Sequence, residues 1–407
     1  MGRRFRGRRI VARGGRIRQG GGPAGQGLEP YPKPTAAPRV LVLSAGAGTG
    51  HLRAGEALAD AVRRHAPEAA VRHVDALDLA PRWVSACYGD GFELLAGRAP
   101  AVWRGLYRVT DGPDPGDSRV WAAAERTLFR RFRRLLRSRP WDVILATHFL
   151  PCQLVRGARR AGLPPIHLVV TDFTLHRYWV QPAATRLHVA TEALARRSRL
   201  RLPATPVSVS GIPVASRFAA VPDRAAARRA FGLDPSRPVL LAVAGGMGLR
   251  VERAVRAALA ARVPGLQVLV VCGRNESARA RLAALGRPDL VVRGYEERME
   301  AAIATADLVL TKPGGLTVAE TLAVGRPLLL SRPIPGHEEA NAALLVREGA
   351  AVFPGSDREL PRAVEALFAV GGPLAELEAA AGRLGRPGAA AAIVTEALAP
   401  LGSVAAA

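Results

Sequence analysis

Short apolar runs alternate along this chain with longer segments in which apolar residues recur every three or four positions. An uninterrupted run of Val, Leu, Ile and Ala is typical of a strand buried in a parallel sheet, and the wider spacing is typical of a helix with one buried face. The predicted strands are 40–43, 143–146, 166–170, 187–190, 207–209, 239–243, 266–271, 291–292, 308–310, 327–330 and 350–353. The predicted helices are 52–65, 122–137, 316–324, 360–370, 374–384 and 389–398. This alternation predicts an α/β fold.

The segment 308–341 contains a strand, a glycine turn, a helix, a second strand and a polar loop in succession. The turn 312–315 leads directly into the helix, whose first N–H groups and dipole favour a bound phosphate. Glu320 lies one turn into this helix, and Glu338 lies in the predicted polar loop 333–339. The two carboxylates either accept hydrogen bonds from sugar hydroxyls or are an ordinary helix acid and a solvated loop charge. The segment therefore predicts half of a nucleotide-binding domain.

Two further glycine loops follow predicted strands. Residues 44–51 read SAGAGTGH and residues 245–248 read GGMG, and the first loop does not match a dinucleotide-binding fingerprint. His51 closes the first loop, where it is either a general base or a helix-start histidine bonded to the backbone. His148 and Asp172 follow two other predicted strands. Open α/β sheets bind their ligands at the carboxyl ends of their strands, so we expect these residues near one site.

Residues 311–341, which read TKPGGLTVAETLAVGRPLLLSRPIPGHEEAN, resemble the donor-sugar motif of GT-B glycosyltransferases. The similarity is to the MurG, monogalactosyldiacylglycerol synthase and processive diacylglycerol glucosyltransferase type, and residues 44–51 and 170–179 (VTDFTLHRYW) are similar to further motifs of that family. The resemblance covers residues 40 to about 385. It implies two facing Rossmann-like domains with a cleft between them. It also implies an inverting transfer in which an acceptor hydroxyl displaces UDP, with the UDP-sugar as a substrate and neither a cofactor nor a metal required.

The resemblance also implies roles for individual residues. The implied donor-binding residues are Gly211, Gly245, Gly246, Gly248, Asn275, Tyr295, Met299, Lys312, Gly314, Gly315, Thr317, Glu320, His337, Glu338 and Asn341. The implied acceptor-binding residues are Gly48, Gly50, His148, His176 and Trp179. The catalytic base is then His51 or Asp172, and both remain candidates. His337 stands where the family carries glutamine, so the choice of hexose stays open at this position.

A formal net charge of +24 makes the chain strongly basic, and arginine supplies nearly all of it because Lys33 and Lys312 are the only lysines. A basic surface attracts phosphates, which leaves nucleic acid, anionic lipid and nucleotide as partners. A nucleic-acid-binding protein would leave the three glycine loops unexplained. We therefore expect a UDP-sugar donor, a lipid acceptor and an anionic membrane surface as partners, and no nucleic acid.

No uncharged apolar run reaches the ~18 residues that a transmembrane helix requires. Arginines interrupt every apolar piece at the N-terminus, which is not typical of a secretory signal. Cys87, Cys152 and Cys272 lack metal-ligand spacing, which indicates reduced thiols. These features predict a cytoplasmic protein that is peripheral on the inner face of the cell membrane.

The domain organisation follows from the composition and from the resemblance. The predicted units are a basic tail and linker at 1–38, an acceptor-binding domain at 39–214, a UDP-sugar-binding domain at 215–385, and a helix that crosses back, with a short tail, at 386–407. Residues 1–20 contain eight arginines and are either a membrane anchor or a dispensable tail. The aromatic segment 81–116 either receives the lipid or packs under the sheet, and the helix 122–137 either rests on a bilayer or covers the domain.

The acceptor has two candidates within this class, diacylglycerol and a lipid-linked peptidoglycan precursor. A UDP-GlcNAc 2-epimerase would share the fold and the UDP pocket, and would release a free sugar with no lipid present. The sequence favours diacylglycerol, which fits the family and the basic, aromatic N-terminal half.

Overall fold

The chain forms two parallel sheets of six strands each, one in each half. The computed structural model describes residues 37–46, 48–85, 99–111, 127–155, 163–244 and 251–402. The predicted loop 245–248 and the basic tail lie outside these residues, as do residues 86–98 and 112–116 of the aromatic segment. Every pair of neighbouring strands is parallel. The predicted α/β fold is confirmed.

The first domain is built on strands that alternate with helices. Its strands are β1 (Arg39–Ser44), β2 (Ala70–Asp75), β3 (Val143–Ala146), β4 (Ile166–Val169), β5 (Arg186–Val189) and β6 (Val207–Val209). They lie in the order β2-β1-β3-β4-β5-β6. The chain therefore changes direction across the sheet at β1, and such a switch point opens a crevice at the carboxyl end of the strand. All residues of β3 and β4 are buried, which explains the uninterrupted apolar run of β3; β4 buries His167 among its apolar residues.

The second domain repeats this plan. Its strands are β7 (Val239–Val243), β8 (Gln267–Val271), β9 (Leu290–Arg293), β10 (Leu308–Thr311), β11 (Leu328–Leu330) and β12 (Ala351–Val352). Their order is β12-β11-β10-β7-β8-β9, so the direction changes at β7. The glycine turn that follows β10 consequently lies beside the second switch point.

Helices cover both sheets. They are α1 (Thr49–His65), α2 (Pro100–Thr110), α3 (Arg130–Ser138), α4 (Leu150–Leu154), α5 (Glu192–Arg201), α6 (Arg224–Ala230), α7 (Val251–Ala258), α8 (Glu276–Ala283), α9 (Met299–Ala304), α10 (Gly315–Ala323), α11 (His337–Arg347), α12 (Leu360–Phe368), α13 (Leu374–Leu384) and α14 (Ala389–Gly402). Among the described residues, no helix is both long and apolar enough to cross a bilayer.

The last helix belongs to the core of the first domain. Ile393 and Val394 of α14 are fully buried in one cluster with Val40 and Val42 of β1 and Leu58 of α1. The chain therefore crosses between the domains twice, once after β6 and once before α14.

One predicted element is confirmed in its described part, and another differs from the structure. Residues 127, 128 and 130–137 of the predicted helix 122–137 are helical, and residues 122–126 lie outside the description. The predicted polar loop 333–339 was wrong beyond Gly336, because α11 begins at His337. Gly336 adopts a φ of 96°, which favours glycine, and its N–H donates to the Glu339 carboxylate at 3.0 Å. This turn therefore starts a helix in a segment whose prolines, glycine and charged residues predicted a loop.

Candidate active site

The carboxyl ends of both sheets meet at a cleft between the domains. The first domain contributes residues that follow β1 and β4, and the second contributes residues at or after β7 to β11. The lining residues are Gly48, Thr49, Gly50, His51, Arg53, Thr171, Asp172, Val243, Val271, Gly273, Tyr295, Glu296, Met299, Lys312, Gly314, Gly315, Leu316, Thr317, Glu320, Ile334, His337 and Glu338. Most of the residues that the sequence predicted for the site thus share one cavity.

His51 lies in the first turn of α1, directly after the glycine loop. Its Nδ1 atom is 3.0 Å from the carbonyl oxygen of Thr147 and 2.7 Å from Oγ1 of Thr171. Because a carbonyl oxygen can only accept, Nδ1 carries the proton and the lone pair is on Nε2. Burial lowers the pKa of His51 below 6.5, although the nearby Asp172 carboxylate opposes this effect. The imidazole is therefore neutral at pH 7 and has the form that a general base requires.

Aromatic rings support His51 from inside the first domain. The ring of His148 meets the ring of His51 edge to face at 4.7 Å, and the ring of Trp179 is 6.2 Å away. His148 and Trp179 are each 3% exposed, and neither is among the described residues that line the cleft. The pKa of His148 is well below 6.5 because the ring is buried beside His51. These two residues therefore hold the imidazole in place from behind.

The predicted acceptor residue His176 is also turned away from the cleft wall. Its Nδ1 accepts the N–H of Tyr178 at 3.2 Å and so caps the short 3₁₀ helix Arg177–Trp179. The ring is 7% exposed. Gly48 and Gly50, by contrast, line the cleft. Gly48 has a φ of 122°, which a residue with a side chain rarely adopts, so glycine is required where the loop enters α1.

The glycine turn on the donor side lies directly against the first domain. Gly314 caps α10 with no side-chain partner for the helix N-terminus. A Cβ atom at Gly315 would lie 2.0 Å from the carbonyl oxygen of Thr171 in the first domain. Only glycine fits here, and the first N–H groups of α10 border the cleft. The first N–H groups of α10 can therefore accept an anion at the boundary between the domains.

Glu338 lies in the first turn of α11 and not in a loop. Its carboxylate is bonded to Nζ of Lys312 at 2.6 Å and accepts the N–H of Ile334 at 2.7 Å. The side chain is 1% exposed, yet it borders the cleft. A carboxylate held in this way keeps acceptor capacity for the hydroxyl groups of a ligand.

Glu320 lies within α10, the helix that follows the glycine turn. Its Oε1 atom is 3.0 Å from a guanidinium nitrogen of Arg53, which belongs to α1 of the first domain. Burial raises the pKa of Glu320 to about 7, and Arg53 opposes this effect. Sequence analysis did not single out Arg53, and no spacing or motif indicates it, because the ion pair joins two domains.

Asn341 also joins the two domains. Its side-chain oxygen accepts the N–H of Phe173 at 2.9 Å, and its amide nitrogen donates to Oδ1 of Asp172 at 3.2 Å and to the carbonyl oxygen of Pro313 at 3.0 Å. The side chain is fully buried. Asn341 thus lies where it can orient Asp172, and these bonds occupy the amide that the resemblance assigned to donor binding.

The remaining predicted residues divide between the cleft and its surroundings. Tyr295, Met299, Thr317 and His337 line the cleft. Asn275 lies outside the lining, and its side chain accepts the N–H of Ala278 at 2.9 Å as the cap of α8. Gly211, with a φ of 91°, lies where an added Cβ would be 2.5 Å from Cβ of Arg386, at the chain crossing before α14. Gly245, Gly246 and Gly248 lie outside the described residues. Within the described part of the chain, no three His, Cys, Asp or Glu side chains are placed to hold a metal ion.

Solved structures of similar fold cover nearly the whole chain. The Acinetobacter baumannii MurG structure matches with a TM-score of 0.58 and 18% identity over 89% of this chain and 99% of that one. Phytolacca americana UGT2, complexed with UDP-2-fluoro-glucose and pterostilbene, matches with a TM-score of 0.59 and 13% identity over 90% of this chain and 100% of that one. Two facing Rossmann-like domains with a cleft between them give this chain the GT-B fold, as predicted.

Comparisons at the sequence level are more specific. Residues 51–214 match the monogalactosyldiacylglycerol (MGDG) synthase domain, and residues 240–367 match the glycosyltransferase family 28 C-terminal domain. A processive diacylglycerol beta-glucosyltransferase of Bacillus cytotoxicus is 28% identical over 88% of this chain and 92% of that protein. The enzyme of the same name from Bacillus mycoides is 28% identical over 89% of this chain and 94% of that protein. The chain thus resembles the MGDG synthase and processive diacylglycerol glucosyltransferase family, which confirms the predicted resemblance.

Proposed function

We propose that the protein transfers a hexose, with glucose as the first candidate, from a UDP-sugar to the free hydroxyl of diacylglycerol. The relatives that align over most of its length are named processive diacylglycerol beta-glucosyltransferases. The observation that carries the proposal is the arrangement of the cleft, in which His51 faces the 312–315 turn and two buried carboxylates. Displacement of UDP from an α-linked donor with inversion gives the beta linkage in the relatives' names.

The donor is proposed to lie along the second domain. Glu320 accepts hydrogen bonds from the ribose hydroxyls, and Glu338 accepts them from the hexose. The diphosphate lies between them, against the N-terminus of α10 at Gly314 and Gly315. His337 lines the cleft beside Glu338 and is the residue that we expect to adjust the choice of hexose.

The proposed transfer is a single displacement. The acceptor oxygen bonds to the anomeric carbon while the bond from that carbon to the UDP oxygen breaks. The proton of the acceptor hydroxyl passes to Nε2 of His51, whose Nδ1 is fixed by Thr147 and Thr171. Asp172 stabilises the imidazolium that results, and Asn341 orients Asp172. The UDP-sugar is a substrate, and the proposal includes no cofactor.

The first domain is proposed to contact the anionic inner face of the cell membrane. The side chains of Val102 and Val109 on α2 are 60% and 76% exposed, and Trp83 is 62% exposed. The helix α3 buries Phe132 and Leu135 and exposes five arginines. Exposed apolar residues and exposed arginines in the same domain suit an interface with anionic lipid, where each charge contributes ~1 kcal/mol. This surface would place the cytoplasmic enzyme beside its lipid acceptor.

The test is incubation of the full-length protein with a panel of UDP-hexoses and vesicles that contain diacylglycerol, followed by mass analysis of the lipid fraction. We expect the mass of diacylglycerol to increase by one or more hexose residues. His51→Ala is the inactive control. Parallel reactions replace diacylglycerol with a lipid-linked peptidoglycan precursor or omit lipid. Glycosylation of that precursor alone, or release of free sugar without lipid, would contradict the proposed acceptor.

A further inference from the structure

Each cationic side chain of the cleft is paired with a carboxylate that the proposed function assigns to the donor. Among the described residues that line the cleft, Arg53 and Lys312 are the arginine and lysine. Arg53 is 3.0 Å from Glu320, and Lys312 is 2.6 Å from Glu338. Lys312 belongs to the second domain, whereas Arg53 reaches across from α1 of the first domain.

The chemistry of a nucleotide sugar places its negative charge between these two pairs. In a UDP-hexose the diphosphate connects the ribose to the hexose. If Glu320 binds the ribose and Glu338 binds the hexose, the diphosphate lies between the two carboxylates and next to both cations. The glycine turn borders this space, because a Cβ at Gly314 would be 3.6 Å from Oε1 of Glu338 and 4.0 Å from Nζ of Lys312.

Burial distinguishes the two partners of the first pair. The side chain of Glu320 is 4% exposed, and that of Arg53 is 34% exposed. Glu320 is held inside α10, whereas the guanidinium extends into the cleft. Ribose hydroxyls that donate to Glu320 compete with Arg53 for the carboxylate. A guanidinium released in a water-poor cleft needs another anion, and the diphosphate supplies one in a geometry that accepts two parallel hydrogen bonds.

We propose that Arg53 is a catalytic residue that the acceptor domain contributes to the donor site, where it binds the diphosphate. The inference rests on the proposed function. When the bond between the anomeric carbon and the diphosphate oxygen breaks, its electron pair stays on that oxygen. Arg53 stabilises this added charge from one side, and Lys312 with the α10 N-terminus stabilises it from the other. Arg53 transfers no proton in this step.

The test compares uridine with UDP as ligands of the full-length protein by isothermal titration calorimetry. Arg53→Gln should weaken UDP binding roughly ten- to hundredfold, the effect of losing charge-assisted hydrogen bonds. Uridine, which lacks the diphosphate, should change by less than about threefold. Arg53→Lys keeps the charge and should recover part of the UDP affinity. Arg63→Gln is the matched control, because Arg63 is exposed on the same helix and pairs only at the surface with Asp60.

Equal losses for uridine and UDP in Arg53→Gln, or no loss for either, would overturn the inference and leave Arg53 as a structural partner of Glu320. Failure of the wild-type protein to bind UDP would instead overturn the proposed function. If Arg53→Gln does not fold, the double variant Arg53→Gln/Glu320→Gln removes the buried charge as well. The difference between its uridine and UDP affinities, compared with that of Glu320→Gln alone, then provides the same test.

Discussion

Replacement of Glu320 by glutamine is expected to stabilise the fold and to weaken donor binding at the same time. Burial raises the pKa of this carboxyl from 4.5 to about 7 in the folded protein. A change of this size corresponds to roughly 3 kcal/mol of preference for the protonated form. The charged groups that act on Glu320 are Arg53 and Arg217, which favour the carboxylate, and Glu300, which opposes it.

The direction in which stability changes with pH follows from the direction of the pKa change. The unfolded chain loses this proton near pH 4.5, whereas the folded protein keeps it up to about pH 7. The contribution of Glu320 to stability is therefore most favourable below pH 4.5, decreases as the pH rises through this window, and is least favourable above pH 7. Glutamine is neutral throughout. The stability of Glu320→Gln relative to wild type should thus increase across the window by up to ~3 kcal/mol.

The assay is urea-induced unfolding of both proteins at several values between about pH 5 and about pH 8.5, a range that spans the expected titration. Glu276→Gln is the control, because the side chain of Glu276 is 67% exposed and pairs only with Arg279. A stability difference between Glu320→Gln and wild type that stays constant over this range would refute the reasoning. Calorimetry with UDP measures the other half of the prediction, and an unchanged affinity would rule out Glu320 as the ribose ligand.

Four further predictions concern the cleft. His51→Ala should lower turnover by about 10²- to 10⁴-fold while UDP affinity is kept, and unchanged turnover would exclude His51 as the base. Because burial lowers the pKa of His51, the acidic limb of the wild-type kcat/KM profile should lie below pH 6.5; a limb above that value would contradict the neutral imidazole. Gly315→Ala places a Cβ 2.0 Å from the Thr171 carbonyl oxygen, so it should force the domains apart and weaken UDP binding at least tenfold, as measured by calorimetry. Asn341→Ala should reduce kcat more than it changes UDP affinity, and the opposite pattern would return Asn341 to a donor-binding role.

Local patterns were sufficient to predict the elements that carry the site. The strand β10, the glycine turn and the helix α10 are continuous in sequence, and each is specified by residues within a few positions. The same holds for β1 and the loop that ends at His51. Parallel strands bring their carboxyl ends to one edge by topology alone, so the residues after them converge without any further signal.

Contacts between domains could not be predicted in this way. The pairing of Arg53 with Glu320 and the bonds from Asn341 to Asp172 depend on how the two domains face each other, which no local pattern encodes. The prediction that Glu338 lies in a loop was wrong for a different reason. The φ of 96° at Gly336 starts a helix that polarity alone does not indicate.

The alternation of apolar and polar residues also does not predict whether a polar residue that follows a strand is buried or exposed. His148 was expected at the cleft because it follows β3, yet it packs as an aromatic ring behind His51. A histidine that is buried with its Nδ1 bonded to the backbone N–H of Leu150 can be recognised only from the folded structure.

The return of α14 to the first sheet has a consequence for biosynthesis. A ribosome delivers β1 and α1 before the second domain, but Ile393 and Val394, which complete their hydrophobic cluster, only after it. The first domain is therefore completed only after the second domain has been synthesised. Until α14 emerges, the faces of β1 and α1 that it will cover remain open to solvent, so the nascent chain has an interval in which a chaperone or a membrane surface can occupy them.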